Sequence, residues 1–305
     1  MEYLPHEKIN KNKWDECIAN AFNGNPYAQS SYLDLVCPNW DAIVSRNYTT
    51  VFPLPKRKKY NLEYLSQPLF APQLGVFTTL TSNKFSVDEY INAIPGKFKI
   101  VDLAFNPFNF IIDSGLGQYC KNHVCQKLYL NNTYNQIRLN YGKNHTRNIR
   151  KFEHQIPKYS IGELNPTAFY FYKLKSIQQS GNWMKAVDKN ILNKLLLHFE
   201  LRNKLKIICG FNLQNEPIGA VAFFLNDNHI FIQSFTTAAA RNCGLIYYLI
   251  DKMIKEYAGN DLYLDFMGSS ASGIKYRNTG FGSFETTFTR FTLNRLPKVI
   301  NIFRK

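Results

Sequence analysis

The stretch from residue 205 to residue 267 has the most ordered pattern of hydrophobic and polar positions in the chain. Leu205–Leu213, Gly219–Leu225 and His229–Phe235 are rich in β-branched and aromatic residues. Clusters of Asn, Gln, Asp and Pro, which favour turns, separate the three runs. The pattern predicts three consecutive antiparallel strands.

Helical periodicity follows directly after the third strand. Thr236 or Thr237 can cap a helix that runs to Tyr257. Its apolar face is formed, at helical spacing, by Leu245, Leu249, Ile250, Met253 and Ile254. The next run, Asp261–Met267, alternates as a strand does. A strand, a helix and a strand in this order predict a parallel pair joined by a right-handed crossover.

The first half of the chain repeats this order more weakly. A hairpin, a basic turn, a third strand, a helix and a further strand are predicted in turn at Asp41–Leu54, Lys56–Lys59, Asn61–Ser66, Ser86–Ile94 and Lys99–Phe105. We therefore predict two related domains, residues 1–137 and residues 138–305. Chance recurrence of a common pattern is the alternative.

Helices are predicted at the start of each half. They lie at Lys11–Phe22 and Ser30–Val36 in the first half and at Pro166–Gln179 and Val187–Arg202 in the second. Between the halves, Tyr141–His154 is a basic helical segment, which Pro157 ends. The order of elements therefore predicts an α/β protein.

Composition is typical of a soluble globular protein. The 305 residues, 45% of them hydrophobic, supply enough material for two cores. No window approaches the roughly 18 consecutive apolar residues of a membrane helix, and Met1–Lys13 has no apolar signal-peptide core. We therefore expect a cytoplasmic protein without a transmembrane segment.

The six cysteines are scattered and stand mostly among apolar neighbours, so we expect reduced core residues rather than a disulfide framework. The one tight cluster contains Cys120, His123 and Cys125. A zinc site would need a fourth ligand, so we interpret this cluster as a loop and expect no metal.

Basic residues exceed acidic ones by 37 to 22, which gives a net charge of +15. Part of the excess is concentrated in Lys56–Lys59, Lys143–Lys151 and Arg290–Lys305. Such a field attracts polyanions. Candidate partners are tRNA, a nucleotide-linked or phosphorylated substrate, a phosphate-bearing cofactor and an anionic membrane surface. A solvated basic face with no dedicated partner is the alternative.

Three stretches carry a resemblance to a known superfamily. Asn144–Lys151 (NHTRNIRK) is similar to a basic helix, Arg241–Gly244 to the Gln/Arg-x-x-Gly start of a pyrophosphate loop, and Leu264–Gly268 to an Asp-Phe-x-Gly strand end. Gly280-Phe281-Gly282 resembles the later Gly-Phe-Gly of the same proteins. The chain thus resembles tandem Gcn5-related N-acetyltransferases (GNAT) of the Fem type and a family of uncharacterised Bacteroidetes acyltransferases.

The resemblance implies an α/β fold with two tandem GNAT-like domains, each a mixed, mostly antiparallel sheet flanked by helices. Together with Tyr27–Trp40 and Gln67–Phe77, which look like the Bacteroidetes proteins, it spans nearly the whole chain. It also implies that, in the C-terminal copy, the third strand and the strand after the helix separate from each other. The gap between them would then bind acyl-coenzyme A or aminoacyl-tRNA. Two positions depart from the pattern: Leu245-Ile246 replaces a small residue of the pyrophosphate loop, and Asn278 replaces the Fem-type Lys before Gly-Phe-Gly.

The predicted cofactor-binding residues are Ala239, Ala240, Arg241 and Gly244. The start of the helix offers unpaired N–H groups and a dipole that favours an anion. The alanines let the backbone approach the donor's phosphates, Arg241 adds a fork of hydrogen-bond donors, and the glycine leaves room. Small residues that merely pack the helix start are the alternative.

The predicted catalytic residues are Asp265 and Tyr276. Amine acylation needs a base for the ammonium proton and an acid for the leaving group. Asp265, at the end of the crossover strand, can position or deprotonate an amine, or it can instead bond the Ser269–Ser272 loop. Tyr276, on the loop after that strand, can donate a proton, with an ordinary surface loop as the alternative.

The predicted substrate-binding residues are Lys143, Arg147, Arg150, Lys275 and Arg277. Lys143, Arg147 and either Arg150 or Lys151 share one face of the basic helix. Lys275 and Arg277 flank the candidate tyrosine. These cations favour a phosphorylated amine acceptor or a tRNA backbone, with solvated charges as the alternative.

Two functions remain in competition. The leading hypothesis is an N-acyltransferase that moves an acyl or aminoacyl group from coenzyme A or aminoacyl-tRNA to a small-molecule or phosphorylated amine. A non-catalytic module that binds an anion or nucleic acid is the rival, favoured by the departures at Leu245 and Asn278. A third hypothesis, an enzyme that acts at an anionic membrane surface, is supported only by the basic stretch Arg290–Lys305. The sequence has no Gly-x-Ser-x-Gly elbow, Walker loop or dinucleotide motif, which weakens hydrolase, kinase and dehydrogenase readings.

Overall fold

The computed structural model describes residues 1–59, 61–80, 85–267 and 272–297. The chain divides into two compact units. Unit 1 consists of Met1–Val124 and the described part of Thr286–Lys305, and unit 2 is Cys125–Glu285. The boundary predicted between residues 137 and 138 separates two related copies of a domain rather than two compact units. It stays a prediction.

Short strands and helices alternate in unit 1. Before residue 120 they are, in chain order, β1 (Glu2–Leu4), α1 (Lys11–Asn20), α2 (Ser30–Val36), β2 (Asp41–Val44), β3 (Thr50–Leu54), β4 (Lys56–Lys59), β5 (Leu62–Ser66), β6 (Phe77–Thr78), β7 (Phe85–Ser86), α3 (Asp88–Asn92), β8 (Ile100–Ala104), β9 (Asn109–Phe110) and α4 (Ser114–Gly117). The side chain of Asn10 accepts a hydrogen bond from the Lys13 N–H and so caps α1.

Strand β10 (Cys120–Tyr129) leads into unit 2. It is followed by α5 (Tyr134–Leu139), α6 (Lys143–Glu153), β11 (Ser160–Glu163), α7 (Pro166–Gln179), α8 (Ala186–Glu200), β12 (Leu205–Phe211), β13 (Pro217–Asn226), β14 (His229–Thr236), α9 (Ala238–Cys243), α10 (Leu245–Tyr257), β15 (Tyr263–Asp265), α11 (Ser272–Thr279) and β16 (Phe284–Asn294). Helix α7 starts where Asn165 caps it and Pro166 takes the first position. Strand β16 belongs to unit 1 from Thr286 onward.

The strands of unit 1 pair in the order β1-β2-β3-β6 and, separately, β16-β8-β5-β4. Strands β5 and β8 are parallel, with Leu65 opposite Val101. This pairing confirms the predicted crossover through a helix. Phe52, Phe98 and Phe105 are fully buried in the core of this unit.

The predicted basic turn at Lys56–Lys59 is wrong, because these residues form strand β4. The strand pairs with β5, with Lys58 opposite Glu63, and the Nζ of Lys56 lies 3.0 Å from Oδ1 of Asp41. Opposite charges across a strand pair are favourable, and a lysine-rich strand suits the edge of a sheet. The third strand of the first half therefore pairs with β4 and not with β3.

The sheet of unit 2 has the strand order β11-β12-β13-β14-β15-β10. All its neighbours are antiparallel except β14 and β15, which are parallel. The predicted meander and its crossover are thus confirmed. Side chains alternate along the strands: Phe223 packs in the core with α6 and α10, whereas Phe224 stacks on Phe231 and meets Phe199 of α8.

The predicted single helix ending at Tyr257 is wrong in one respect, because Gly244 divides it into α9 and α10. Gly244 has φ 83°, the left-handed conformation that favours glycine. A Cβ at this position would lie 2.5 Å from the carbonyl oxygen of Asn148 in α6. The break therefore lets α6 approach the backbone at the junction of the two helices.

The basic C-terminal stretch begins within the described residues. Arg290 on β16 forms a bidentate ion pair with Asp102 on β8, with N–O distances of 2.7 and 2.8 Å. Residues 298–305, on which the membrane hypothesis also rests, lie outside the described residues. In the ranges given above, no helix has both the length and the apolar character needed to cross a membrane.

Candidate functional site

Strand β14 runs past the end of its parallel neighbour β15. The last residue pair between them joins Phe231 and Asp265, whereas β14 continues to Thr236. Strand β13 accompanies β14 along its whole length. Pairing with β15 therefore ends at the place where the resemblance implies that the two strands part.

The peptide groups at the end of β14 face this unpaired side. The Thr237 N–H donates to the Ile218 carbonyl at 3.0 Å, so residue 237 turns its peptide groups toward β13. Because these directions alternate along an antiparallel strand, the N–H and carbonyl of Ser234 point away from β13. An extended molecule can approach β14 at this edge.

Lys173 of α7 reaches this edge. Lys173 is 9% exposed, and its Nζ donates to the Ser234 carbonyl at 2.7 Å. Burial, together with the charge of Arg277, lowers the pKa of Lys173 to about 8. The sequence interpretation missed this residue. The signal is its spacing, because Lys173 falls on the buried face of α7 between Phe169 and Ile177.

Asp265 bonds to the end of its own strand. It is 1% exposed, its Oδ1 accepts from the Met267 N–H at 2.7 Å, and its Oδ2 lies 3.8 Å from the Nζ of Lys127. The same ammonium lies 3.2 Å from Nε2 of His229, whose pKa burial and Lys127 lower to about 4. Of the Ser269–Ser272 loop, residues 269–271 lie outside the described residues. The catalytic role of Asp265 stays a prediction.

The predicted cofactor-binding residues lie around α9. Ala240 and Gly244 are buried, while Ala239 and Arg241 are exposed. The hydroxyl of Thr237 accepts from the Ala240 N–H at 3.3 Å, so the helix cap already occupies one of the N–H groups at this end. The Arg241 guanidinium lies 3.4 Å from a carbonyl at the end of β14. Donor binding by these residues stays a prediction.

Tyr276, predicted on a loop, lies instead on helix α11. The segment carries no apolar stripe, because cationic and small polar residues fill it, and this hid the helix from a search for hydrophobic periodicity. The Tyr276 side chain is 58% exposed, and its ring centroid lies 6.0 Å from that of His145. Lys275 pairs with Glu285 at 3.0 Å, near the protein surface.

Two grooves follow the basic helix α6. The first has a volume of about 540 Å³, and its lining includes Lys143, Arg147 and Tyr276. The second has a volume of about 750 Å³, and its lining includes Lys143, Arg147, Arg150 and Lys151. The structure thus brings the three predicted α6 cations together and places two of them beside the predicted tyrosine.

His145 joins α6 to α11. It is buried, its Nε2 lies 2.7 Å from the Arg277 carbonyl, and burial lowers its pKa. The Nε and Nη2 of Arg277 donate to Oδ1 of Asn278 at 3.2 and 3.0 Å. Asn278 is fully buried, and its Nδ2 lies 3.3 Å from Oε1 of Gln126. The residue at the Fem-type lysine position is therefore tied into the core and into Arg277.

No group of three or more His, Cys, Asp or Glu side chains among the described residues could hold a metal ion. Cys120, His123 and Cys125, interpreted from the sequence as a loop, lie on strand β10. The side chains of a strand alternate between its two faces, which separates odd from even positions. None of the six cysteines, which all lie within the described residues, forms a disulfide bond.

The fold of the whole chain is shared with solved structures. FemX matches over the full length of both chains, with a TM-score of 0.62 and 10% identity. A conserved protein of unknown function from Bacteroides thetaiotaomicron has a TM-score of 0.59 and 9% identity, and the match covers 95% of this chain and 99% of that one. A GNAT-family acetyltransferase from Colwellia psychrerythraea has a TM-score of 0.54 and 10% identity, over 96% of this chain and 100% of that one.

These likenesses confirm the predicted α/β class and a Fem/GNAT-like fold. No protein-family model matches the chain, and no curated protein matches its sequence. At identities this low the likeness concerns the fold. That unit 1 and unit 2 are copies of one another stays a prediction.

Proposed function

We propose that this protein is an N-acyltransferase that moves an acyl or aminoacyl group from coenzyme A or aminoacyl-tRNA onto an amine. The carrying observation is the edge of β14 beyond Phe231, which has no described strand beside it, in a chain with the fold of FemX and a GNAT-family acetyltransferase. A donor that contains amide groups can pair with such an edge as an added strand does.

We assign the following roles to the residues in this proposal. The donor lies along Ser234 and Thr236, with its phosphates toward Arg241. Tyr276 protonates the leaving group, and Asp265 orients the acceptor amine. The α6 grooves, lined by basic residues, hold a phosphorylated acceptor or the backbone of a tRNA.

The direct test is calorimetric titration with acetyl-coenzyme A, a longer acyl-coenzyme A and an aminoacyl-tRNA. We expect one donor to bind and a Ser234→Pro variant to lose that binding, because proline removes the N–H that faces the open side. Ser234→Ala is the matched control, since it changes the side chain and keeps the backbone donor. If protein shown to be folded bound none of the three donors, the result would contradict the proposal.

The second candidate is a non-catalytic module that binds an anion or nucleic acid. The observation in its favour is the row of α6 cations along both grooves. Salt-dependent tRNA affinity that survives both Ser234→Pro and Arg241→Ala, with no acyl transfer, would favour this module over the enzyme.

A further inference from the structure

The first turn of α6 borders the first of the two grooves. Gly142, the residue before the helix, supplies no side-chain cap, and its N–H donates to the Gly280 carbonyl at 2.9 Å. The N–H groups of Lys143 and Asn144 come first in the helix, so they have no intrahelical partner, and they form no hydrogen bond within the described residues. Both residues line the groove. The groove therefore receives two unpaired N–H groups and the positive end of the α6 dipole.

The side chains that line this groove carry positive charge. Lys143 and Arg147 lie along it, and none of its lining residues is acidic. The Thr279 hydroxyl, at the same groove, donates at 3.5 Å to Glu285, which pairs with Lys275 at 3.0 Å. A helix start with two cations beside it favours a bound anion.

His145 brings an unused hydrogen-bond acceptor to the groove. The residue is 1% exposed, and its Nε2 lies 2.7 Å from the Arg277 carbonyl. A carbonyl oxygen only accepts, so Nε2 carries the proton and Nδ1 of the neutral ring carries a lone pair. Nδ1 forms no hydrogen bond within the described residues. Burial lowers the pKa of His145, which favours the neutral ring at neutral pH.

The space in front of Nδ1 belongs to the same groove. A Cβ added to Gly142 would lie 3.7 Å from Nδ1 of His145 and 3.7 Å from the Gly280 carbonyl oxygen, which are ordinary contact distances. Nδ1 is therefore the imidazole atom nearest to this space, and all three residues line the groove. The buried lone pair and the start of α6 thus border one cavity.

The groups that face the imidazole of His145 belong to α10, to α11 and to the residues just after α11. The ring centroids of Tyr247 and Tyr276 lie 4.8 and 6.0 Å away, and that of Phe281 lies 4.8 Å away. The charge of Arg277 contributes to the lowered pKa of His145. None of these groups is a carboxylate or a second histidine, and phenols and guanidinium groups ordinarily titrate well above neutral pH. A proton that reaches Nδ1 near neutral pH therefore comes from a ligand or from solvent.

We propose that the first groove binds a phosphate monoester. The phosphate oxygens accept hydrogen bonds from the start of α6, Lys143 and Arg147, and the P–OH group donates to Nδ1 of His145. A phosphodiester has no such proton, so it leaves the buried acceptor unpaired. The groove thus distinguishes a terminal phosphate from a nucleic-acid backbone. Resting on the proposed function, we assign this phosphate to one of the two reaction partners.

The test is calorimetric titration of the full chain with methyl phosphate at several pH values and constant ionic strength. Methyl phosphate loses its second proton at a pKa of about 6, so above neutral pH the complex holds a proton that neither free partner carries. The affinity should therefore fall about tenfold from pH 7 to pH 8. Cations alone would bind the dianion better, so an affinity that stays flat or rises with pH would overturn the proposal. Absence of binding would overturn it as well.

His145→Gln identifies the proton acceptor. Glutamine can keep a donor for the Arg277 carbonyl, and it has no titratable nitrogen. We expect this variant to lose the fall in affinity with pH. His154→Gln is the matched control, because it removes a histidine that lines the second groove, and the fall with pH should survive there. Wild-type pH dependence in His145→Gln, or equal effects of the two substitutions, would contradict the role of Nδ1.

Gly142→Ala tests the position of the phosphate. Gly142 has φ −63° and ψ 146°, which alanine adopts without strain, so we expect a folded protein. Its methyl group fills the space beside Nδ1, and the affinity for methyl phosphate should fall about tenfold or more. Gly273→Ala is the matched control, because a Cβ there meets nothing within 4 Å. Unchanged affinity in Gly142→Ala, or equal losses in both variants, would contradict the site.

A competition experiment separates the two sources of the phosphate. A phosphorylated amine carries a phosphate monoester, and so does the 3′ position of coenzyme A. Displacement of methyl phosphate by O-phosphoethanolamine and not by coenzyme A assigns the groove to the acceptor. Displacement by coenzyme A and not by 3′-dephospho-coenzyme A assigns it to the donor. Displacement by none of them would overturn the link to the reaction.

The site and the proposed function can fail separately. The methyl phosphate titration needs no acyl donor, and its pH dependence in the wild type needs no variant. If methyl phosphate binds as expected and no acyl donor does, only the acyltransferase proposal fails. Acyl transfer by a protein that does not bind methyl phosphate would remove only this site.

Discussion

A Cβ added to Gly280 would lie 1.8 Å from Cε1 of His145, so the backbone at residue 280 and this imidazole are in direct contact. The Gly280 carbonyl also accepts from the Gly142 N–H at 2.9 Å. Through these contacts, and through the bond between His145 and the Arg277 carbonyl, the start of α6 is fixed against the end of α11. The Gly-Phe-Gly stretch thus has a packing role that is independent of any ligand.

Gly280→Ala is expected to destabilise the protein. A methyl group cannot fit beside the His145 ring, and overpacking of this kind costs roughly 1–3 kcal/mol in the free energy of unfolding. Urea denaturation measures the change. Gly273→Ala is the matched control, because a Cβ there meets nothing within 4 Å. Equal effects of the two substitutions would show that the contact is unimportant.

The same contact predicts a rescue. If the methyl group at residue 280 collides only with the imidazole, the double variant with His145→Ala loses less stability than the two single changes added together. Additive costs in this double-mutant cycle would mean that the strain lies in the backbone of Gly280 instead.

Gly244→Ala is expected to be more costly than Gly259→Ala. Both glycines have a positive φ, 83° and 85°, so each alanine pays a similar conformational cost of about 1 kcal/mol. Only Gly244 faces the Asn148 carbonyl, whereas a Cβ at Gly259 meets open space. Chemical denaturation should therefore show a further loss of roughly 1–3 kcal/mol at residue 244. Equal losses would contradict close contact between α6 and the α9–α10 junction.

Lys173 is expected to make stability rise with pH above neutrality. Its pKa is lowered from 10.5 to about 8 in the folded protein, so between these values the unfolded chain binds one more proton. Raising the pH therefore stabilises the folded state relative to the unfolded one, by up to roughly 3 kcal/mol between pH 7 and pH 10. Below pH 8 the lysine is charged in both states, and the free-energy cost of burying its charge is fully present.

The measurement is the free energy of unfolding of the wild type minus that of Lys173→Met across this pH range. The subtraction cancels the titration of other groups. The difference should rise with pH, while the corresponding difference for Lys175→Met should stay flat. A flat difference for Lys173 would mean that its ammonium is solvated.

The α6 cations are expected to set the salt dependence of tRNA binding, if tRNA binds. Removing two phosphate contacts with Lys143→Gln and Arg147→Gln should lower the slope of log affinity against log salt by about 1.5. Lys185→Gln with Lys194→Gln removes the same charge from exposed positions on or beside α8 and is the control. Equal slopes in both double variants would indicate attraction by net charge alone.

Local sequence signals predicted elements of both units that define the fold. Helices α2 and α7 have the predicted bounds, and the parallel pairing of β14 with β15 follows from the order of elements. Apolar spacing and caps are local properties, so a single sequence reveals them. Strand β4 was missed because its four basic residues look like a turn until Asp41 and Glu63 are placed beside them.

The candidate site was only partly accessible to such reasoning. Lys143, Arg147 and Tyr276 do line one groove. The environment of Lys173 depends on the Ser234 carbonyl and on the charge of Arg277, which are far from it in sequence. No local sequence pattern predicts such long-range interactions. Its place between two apolar residues on one helix face was the available clue.

Unit 1 is discontinuous in sequence, and this has a consequence for synthesis. Strand β8 pairs with β16, where Leu103 stands opposite Phe291, so the unit needs a strand that the ribosome delivers late. Unit 2 is one continuous stretch, Cys125–Glu285, and leaves the ribosome before that strand does. A nascent chain that stops before residue 286 would present the edge of β8 without this neighbour, as a place for unwanted pairing with other chains.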